Sequence, residues 1–206
     1  SNEEEGDSYR NSFTVIPKTI PFRPPALTRR PILQGCQTGV VTGPEGEEIH
    51  TDKYGRVKVH FHWDRHSPHN AGSSCWMRVT QAWAGKNFGS IWIPRIGQEV
   101  LVDFLDGDPD RPIITGAVYN ADQVHPADLP ASKMRSGFHS QSTESGSPSS
   151  YNQMRLDDTP GKEEILVHAQ KDWNNKIINN RDTTVGNHDL TLIVGSQQID
   201  ISGSDT

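Results

Sequence analysis

The end of the chain carries a glycine-spaced run of alternating apolar residues, TVGNHDLTLIVGSQQIDISG at positions 184–203. Its aliphatic side chains stand mainly at even positions before Gly195 and at odd positions after it, so the alternation changes phase at a glycine. Glycine accepts backbone angles that let a strand bend and restart with the other set of side chains inward. The run therefore predicts short strands that bend at three glycines, Gly186, Gly195 and Gly203.

A run of this kind has too little apolar surface to hold itself together as one chain in water. A short hairpin stack is marginal by itself, and its open strand edges pair readily with other chains. We therefore expect copies of the chain to wrap around one axis as a triangular prism, with aliphatic side chains inside and polar ones outside. The predicted core side chains are Val185, Leu190, Leu192, Val194, Ile199 and Ile201. The alternative is a flexible polar tail in which the glycines recur by chance.

Residues 31–120 contain five short runs typical of strands, and most of them alternate apolar and polar side chains, the pattern of half-buried strands. The run EVLVDFL is instead apolar on both faces apart from Asp103. In the clearest run, RVKVHFHWD at 56–64, the face predicted to be buried carries Val57, Val59, Phe61 and Trp63. The face predicted to meet solvent carries Arg56, Lys58, His60, His62 and Asp64. Five short strands in about 90 residues favour a small closed barrel, the five-stranded OB-fold.

The chain as a whole is predicted to be all-β, in four consecutive segments. Residues 1–30 include PFRPPALTRRP and predict an extended connector, the tail of a domain missing from this sequence, because proline favours extended backbone. Residues 31–120 are the predicted OB-fold, and the Ser/Gly-rich residues 121–150 predict a linker, since they hold few aliphatic side chains. Residues 151–206 are predicted to start an intertwined, triple-stranded β-helix.

Composition argues against two kinds of partner. The net charge is −6, and no block of lysine or arginine is longer than two residues, whereas nucleic-acid binding needs clustered cations. No apolar run approaches the roughly 20 residues of a membrane helix, and no secretory signal is visible. We therefore expect no nucleic-acid partner and no membrane anchor. Cys36 and Cys75 are predicted to be buried thiols, with a disulfide between them as the alternative.

His60, His62 and Asp64 share one strand face and are the candidate ligands of a metal-dependent enzyme, which is one alternative function. Arg56 and Lys58 lie on the same predicted face and would repel a cation. A solvated strand face is therefore the favoured interpretation, and no metal site is predicted.

The segment DGDPDRP places Asp106, Asp108 and Asp110 at the spacing of the first ligands in a calcium loop. Such a loop needs Gly at its sixth position and Glu at its twelfth, where this chain has Arg111 and Ala117. A turn between two strands is predicted instead.

Four of the five tryptophans fall between Trp63 and Trp92, where they could stack on bases or sugars. A monomeric OB-fold module that binds nucleic acid or glycan is therefore a second alternative function. No nucleophile elbow, P-loop or catalytic Cys/His spacing is present, so we predict neither catalytic residues nor a cofactor.

Two long stretches carry a family resemblance: QTGVVTGPEGEEIHTDKYGRVKVHFHWDR at 37–65, and the residues from SSCWMRVTQAW to GAVYN at 73–120. Together with PFRPP at 21–25, they resemble the VgrG family, the spike proteins of bacterial type VI secretion systems, which are similar to the spikes of contractile-tailed phages. The resemblance runs from about Phe13 to the end of the chain. It implies a homotrimer with an OB-fold collar at Pro31–Asn120 and a triple-stranded β-helix from about Tyr151.

The resemblance also implies how such a spike works. It sits on a tube of stacked hexameric rings, takes a PAAR-repeat tip protein and effectors, is assembled in the cytoplasm and is then ejected from the cell. Most of the hub that docks on the tube is expected to be missing from this sequence, and the β-helix is expected to stop after its first turns. No fused toxin domain is expected after it, and segment 121–150 has no room for a lysozyme-like domain.

Overall fold

The computed structural model describes residues 9–143, 147 and 149–203. The chain divides into two compact units, the barrel unit (Ser1–Lys133) and the C-terminal unit (Met134–Thr206). The parts of the predicted connector, linker and β-helix that fall on residues 1–8, 144–146, 148 and 204–206 lie outside the described residues. Within the described part of the chain, no helix combines the length and apolarity needed to cross a membrane.

The barrel unit is built on a five-stranded sheet whose strands correspond to the five runs identified in the sequence. Its strands are β1 (Gln37–Thr42), β2 (Lys58–Phe61), β3 (Arg78–Val79), β6 (Glu99–Phe104) and β7 (Pro112–Val118). They are ordered β2-β1-β6-β7-β3, and every pair is antiparallel except β3 with β7, which is parallel. The predicted all-β barrel is confirmed.

The two outer strands of this sheet meet through one bridge. Val57, directly before β2, pairs with Met77, directly before β3, in antiparallel fashion. The Ser74 hydroxyl also accepts a hydrogen bond from the Val59 backbone N–H at 2.9 Å. The sheet thus curls until its first and last strands touch, which is how a five-stranded sheet becomes a small barrel without free edges.

The barrel core is one cluster of apolar side chains, and the alternation of β1, β2 and β6 supplies most of it. Its buried members are Val41, Val57, Val59, Phe61, Met77, Val100, Val102, Phe104 and Ile114. Because side chains on a strand alternate between faces, β2 and β6 contribute every second residue to this cluster, and β1 and β7 contribute one residue each.

The outer face of β2 differs from the sequence prediction at two residues. His60, predicted to face solvent, is 5% exposed, because the following loop folds over it and brings the His69 ring onto it, with ring centroids 3.5 Å apart. Trp63, predicted to pack in the core, is 63% exposed because β2 ends at Phe61. Its ring stacks on Phe61, and its Nε1–H donates a hydrogen bond to Gln37 Oε1 at 2.8 Å.

Shorter elements complete the barrel unit. Strands β4 (Ala84–Gly85) and β5 (Phe88–Gly89) form a two-stranded hairpin, and a short 3₁₀ helix (Leu105–Gly107) links β6 to β7. The segment DGDPDRP lies in this β6–β7 connection, which is therefore a turn, as predicted. Residues 9–36 form no strand.

The C-terminal unit opens with a three-stranded antiparallel sheet, here called the head sheet. Its strands are β8 (Arg135–His139), β9 (Gln153–Asp157) and β10 (Glu164–His168), with β9 in the centre. Strand β8 lies inside the segment 121–150 that was predicted to be a linker, so that prediction is corrected. A Ser- and Gly-rich stretch forms a strand here because β9 pairs with it along its whole length.

Candidate trimerisation surface

The segment that follows the head sheet, residues 171–203, is here called the ladder. It forms neither helix nor strand, and its described residues make no backbone-to-backbone hydrogen bond. Backbone amides and carbonyls are obligatory hydrogen-bonding groups that a folded structure almost always pairs. The ladder therefore presents, along more than 30 residues, a full set of donors and acceptors for strands of other chains.

The ladder bends at regular intervals. The bends fall at residues 170–171, 178–179, 186–187 and 194–195, and a further one lies at Gly203. The first four recur every eight residues, so each repeat consists of two bend residues and six residues between bends. All three glycines predicted to mark bends lie at these positions, and the repeat starts earlier than the sequence pattern suggested.

The glycines themselves show that a single chain does not explain the pattern. None of Gly186, Gly195 and Gly203 has a left-handed φ, and a Cβ built on any of them has no heavy atom within 4 Å. A larger residue would therefore fit at all three positions in an isolated chain. If glycine is needed there, the need comes from a neighbouring chain.

The apolar side chains of the ladder are open to solvent in the single chain. The six predicted core residues are exposed to the following extents: Val185 47%, Leu190 89%, Leu192 84%, Val194 96%, Ile199 70% and Ile201 69%. A row of large aliphatic side chains left in water is typical of a surface that is covered by a partner.

The eight-residue period also identifies residues that the sequence analysis missed. Ile177, Val185, Ile193 and Ile201 stand eight positions apart, and the first three each directly precede a bend. Ile177 and Ile193 are absent from the predicted core, because the sequence analysis followed the alternation of Leu190 and Leu192. Counting in steps of eight from Ile177 would have found this column.

The candidate metal ligands of β2 and its loop have separate partners. His60 stacks on His69, and His62 Nε2 lies 3.7 Å from Glu99 Oε1. Asp64 accepts hydrogen bonds from the Ser67 hydroxyl and from the backbone N–H groups of His66 and Ser67, which lower its pKa to about 2. Across the described residues, no group of three or more His, Cys, Asp or Glu side chains is arranged to hold a metal ion.

The three aspartates of the β6–β7 turn bind arginines. Arg30 Nη2 lies 3.0 Å from Asp108 Oδ1 and 2.9 Å from Asp110 Oδ2. Asp106 pairs with Arg111 at 2.8 Å. Leu33 N–H donates to the Gly107 carbonyl at 2.8 Å, so this turn also holds the end of the N-terminal segment against the barrel.

Two family models match this chain, one in the barrel unit and one in the C-terminal unit. The model of the type VI secretion system and phage-baseplate injector OB domain matches residues 37–119. The model of the bacteriophage T4 gp5 C-terminal trimerisation domain matches residues 136–206, and thus covers all but the first residue of the head sheet as well as the ladder. The spike protein VgrG1c of Pseudomonas aeruginosa is 54% identical over 189 residues, which are 92% of this chain and 26% of that protein.

The chain belongs to the VgrG family. Two relatives from Vibrio cholerae widen the comparison. The spike protein VgrG3 is 46% identical over 93% of this chain and 19% of its own length, and the actin cross-linking toxin VgrG1 is 43% identical over 98% and 19%. The chain thus spans about a quarter or less of the length of these VgrG relatives. The predicted OB-fold is confirmed, and the match to a trimerisation domain supports a homotrimer.

Membership of the VgrG family does not favour the alternative of a monomeric nucleic-acid or glycan binder, although some tryptophans are accessible. Trp83 and Trp92 are 65% and 57% exposed. The Gln81 side chain donates a hydrogen bond to the Trp92 carbonyl and accepts one from the Trp92 N–H.

Cys36 and Cys75 are free and exposed, so the prediction of buried thiols is wrong. Cys36 directly precedes β1 and Cys75 lies in the loop before β3, outside the core.

Proposed function

We propose that this chain is a structural segment of a type VI secretion spike, working as a homotrimer whose role is mechanical. The observation that carries the proposal is the ladder, a segment with regular bends, unpaired backbone groups and exposed aliphatic side chains. Three such chains wound around one axis would pair each strand with neighbours and bury the aliphatic side chains inside. A rod built in this way resists bending and axial load because every turn is linked to the next by hydrogen bonds between chains.

We also propose which residues form the shared core of this rod. We assign it to the predicted set, Val185, Leu190, Leu192, Val194, Ile199 and Ile201, together with the repeat-related Ile177 and Ile193. The bends at Gly186, Gly195 and Gly203 would form corners of the prism, where a neighbouring chain passes close enough to exclude a larger side chain.

In the whole protein, we propose the partners expected of a VgrG spike. A hexameric tube protein would bind below the collar through the hub, and a PAAR-repeat tip protein with its effectors would bind beyond the β-helix. The spike would be assembled in the cytoplasm and ejected from the cell by the secretion system. The names of the relatives as type VI secretion spike proteins support this route.

We further propose that the segment itself acts without catalysis. The side chains with the most strongly lowered pKa values, Asp64 and Asp157, are held by neighbouring hydroxyl groups and backbone or arginine donors within turns and sheet ends, where they support local structure. The relative named as an actin cross-linking toxin matches this chain over only 19% of its own length.

The deciding measurement is the mass of the purified chain in solution by light scattering. The proposal expects a mass three times that of the 22.9 kDa chain. A mass of one chain, with the ladder protected from proteases and from hydrogen exchange, would refute it, because the ladder would then be folded without sister chains.

A further inference from the structure

Residues 81–92 of the barrel unit, here called the aromatic hairpin, stand clear of the barrel core. The hairpin is built on strands β4 and β5, and Lys86 and Asn87 form the turn between them. Asn87 has a φ of 64°, a left-handed value that asparagine tolerates in tight turns. Every residue from 82 to 89 is exposed. The hairpin therefore covers none of the apolar core and presents its side chains to the surroundings.

Hydrogen bonds hold the base of the aromatic hairpin in one shape. The Gln81 side chain donates to the Trp92 carbonyl at 3.0 Å and accepts from the Trp92 N–H at 2.9 Å. Ser90 N–H donates to the Trp83 carbonyl at 2.8 Å, and Trp83 N–H donates to the Ser90 hydroxyl at 3.2 Å. A surface that is already fixed in shape loses little conformational entropy when it binds a partner.

The hairpin carries four large apolar side chains that lie in water. Trp83 is 65% exposed, Phe88 60%, Ile91 77% and Trp92 57%. The Trp83 and Phe88 rings meet edge to face, with centroids 5.5 Å apart, and a Cβ at Gly85 would collide with the Phe88 ring. A contiguous group of exposed apolar side chains marks an interaction site.

The stretch of chain around the hairpin is basic, although the protein is acidic. Residues 65–98 contain four lysine or arginine residues and no aspartate or glutamate, whereas the whole chain has a net charge of −6. Arg78, at the start of β3, and Lys86, at the hairpin turn, are both exposed. Neither makes an ion pair within the part of the chain that the structure describes. The hairpin thus combines aromatic rings with a cation that no carboxylate neutralises.

This combination fits the boundary between the headgroups and the acyl chains of a lipid bilayer. Tryptophan is enriched there because its ring is apolar while its N–H needs a polar partner, and Trp83 Nε1 has no such partner among the described residues. Lysine and arginine near a membrane surface are attracted by anionic headgroups. A bilayer also accepts a protruding hairpin directly, whereas a protein partner would need a matching groove.

We propose that the aromatic hairpin binds the surface of an anionic lipid bilayer, with Trp83, Phe88 and Trp92 in the interfacial region and Lys86 at the headgroup phosphates. The contact is peripheral and needs no membrane-spanning segment. It goes beyond the proposed mechanical role and does not depend on it, because the hairpin is formed within a single chain. Its failure would leave the proposed spike function standing.

Sedimentation of the full chain with sucrose-loaded vesicles tests the contact. Vesicles of phosphatidylcholine alone are compared with vesicles of phosphatidylcholine and phosphatidylglycerol in equal amounts, and the mixed vesicles are expected to bind at least roughly tenfold more tightly. Trp83→Ala is expected to weaken binding to the mixed vesicles by roughly tenfold, because one aromatic ring is no longer buried. Trp63→Ala is the matched control and should leave binding unchanged, since Trp63 is 63% exposed but lies outside the hairpin.

A second pair of variants tests the role of charge. Lys86→Glu is expected to weaken binding to the mixed vesicles by roughly tenfold, because an attraction to the headgroups becomes a repulsion. Lys53→Glu makes the same change at an exposed lysine outside residues 65–98 and should have a much smaller effect. Added salt is expected to weaken binding of the unaltered chain.

Three outcomes would overturn the lipid contact. The first is that the unaltered chain binds neither kind of vesicle, and the second is that the hairpin variants bind as their controls do. The third concerns a second copy of the chain as the occupant of the hairpin. If light scattering without vesicles shows a lower mass for Trp83→Ala than for the unaltered chain, the hairpin lies between copies instead. Urea unfolding with an unchanged midpoint shows that each variant remains folded.

Discussion

Val57 and Met77 exchange both of their backbone hydrogen bonds, at 3.1 Å and 2.8 Å, and this single pair closes the barrel. Both side chains are almost fully buried, at 0% and 2% exposure. The closure thus combines a backbone link between the outer strands with two members of the apolar core.

Truncation of Met77 should open the core at the point of closure. We expect Met77→Ala to lower the free energy of unfolding of the barrel by about 2–5 kcal/mol, through lost burial and the cavity left behind. Urea unfolding followed by tryptophan fluorescence measures this. Ile91→Ala, at an exposed position, should change the stability by less than about 0.5 kcal/mol. Equal effects of the two substitutions would contradict the assigned core.

The barrel could be predicted from the sequence because short apolar or alternating runs between turn residues identify its strands. Each strand of the five-stranded sheet arises from one such run, and Val57, Val59 and Phe61 are buried as the alternation requires. The exceptions have local causes. The alternation of residues 56–64 does not reveal that the loop after β2 folds over His60. It also does not reveal that β2 ends at Phe61, before Trp63.

Less of the trimerisation surface could be predicted, because it depends on pairing between distant segments. Strand β8 has the composition of a linker and is a strand only because β9 lies beside it. The eight-residue period of the ladder is visible in the bends, yet the sequence shows glycine at only three of them. Where Gln170, Ile178 and Asn179 take the bend positions, composition gives no signal.

The Arg30 side chain should fix the N-terminal segment to the β6–β7 turn. Since its ion pairs are exposed, we expect Arg30→Ala to change global stability by at most about 1 kcal/mol. Hydrogen exchange at the Leu33 amide, which is bonded to Gly107, should become faster, and added salt should have the same effect on the unaltered chain. Arg29→Ala is the matched control. Unchanged Leu33 exchange in Arg30→Ala would show that the turn holds the segment without the arginine.

Asp157 should make the head sheet sensitive to acid. The Thr159 hydroxyl and Arg135 donate to its carboxylate and lower its pKa from 3.8 to about 2. Because the folded-state pKa lies below the unfolded one, this stabilisation is complete above pH 3.8 and is lost as the pH falls toward 2. Asp157→Asn should therefore reduce Tm at neutral pH and flatten its decrease between pH 4 and pH 2.

Thermal unfolding at a series of pH values tests this, with Asp158→Asn as the control for removal of a neighbouring charge. Asp64, whose pKa is also about 2, contributes to the acid sensitivity of the barrel in the same pH range. The informative quantity is therefore the difference in Tm between the unaltered chain and Asp157→Asn. A difference that stays constant from pH 7 to pH 2 would exclude a role for this carboxylate in acid sensitivity.

A charge in the ladder should separate the chains while leaving each of them folded elsewhere. Ile201 is one of the predicted core residues and a member of the eight-residue column, and it is 69% exposed in the single chain. We expect Ile201→Asp to weaken the trimer by roughly 100-fold, or about 2.8 kcal/mol, because three carboxylates would meet near one axis without water. Gln198→Asp adds the same charge to the same repeat at a polar position and should leave the trimer intact. Light scattering over a dilution series measures both variants, and a trimer that tolerates Ile201→Asp as well as Gln198→Asp would place Ile201 outside the shared core.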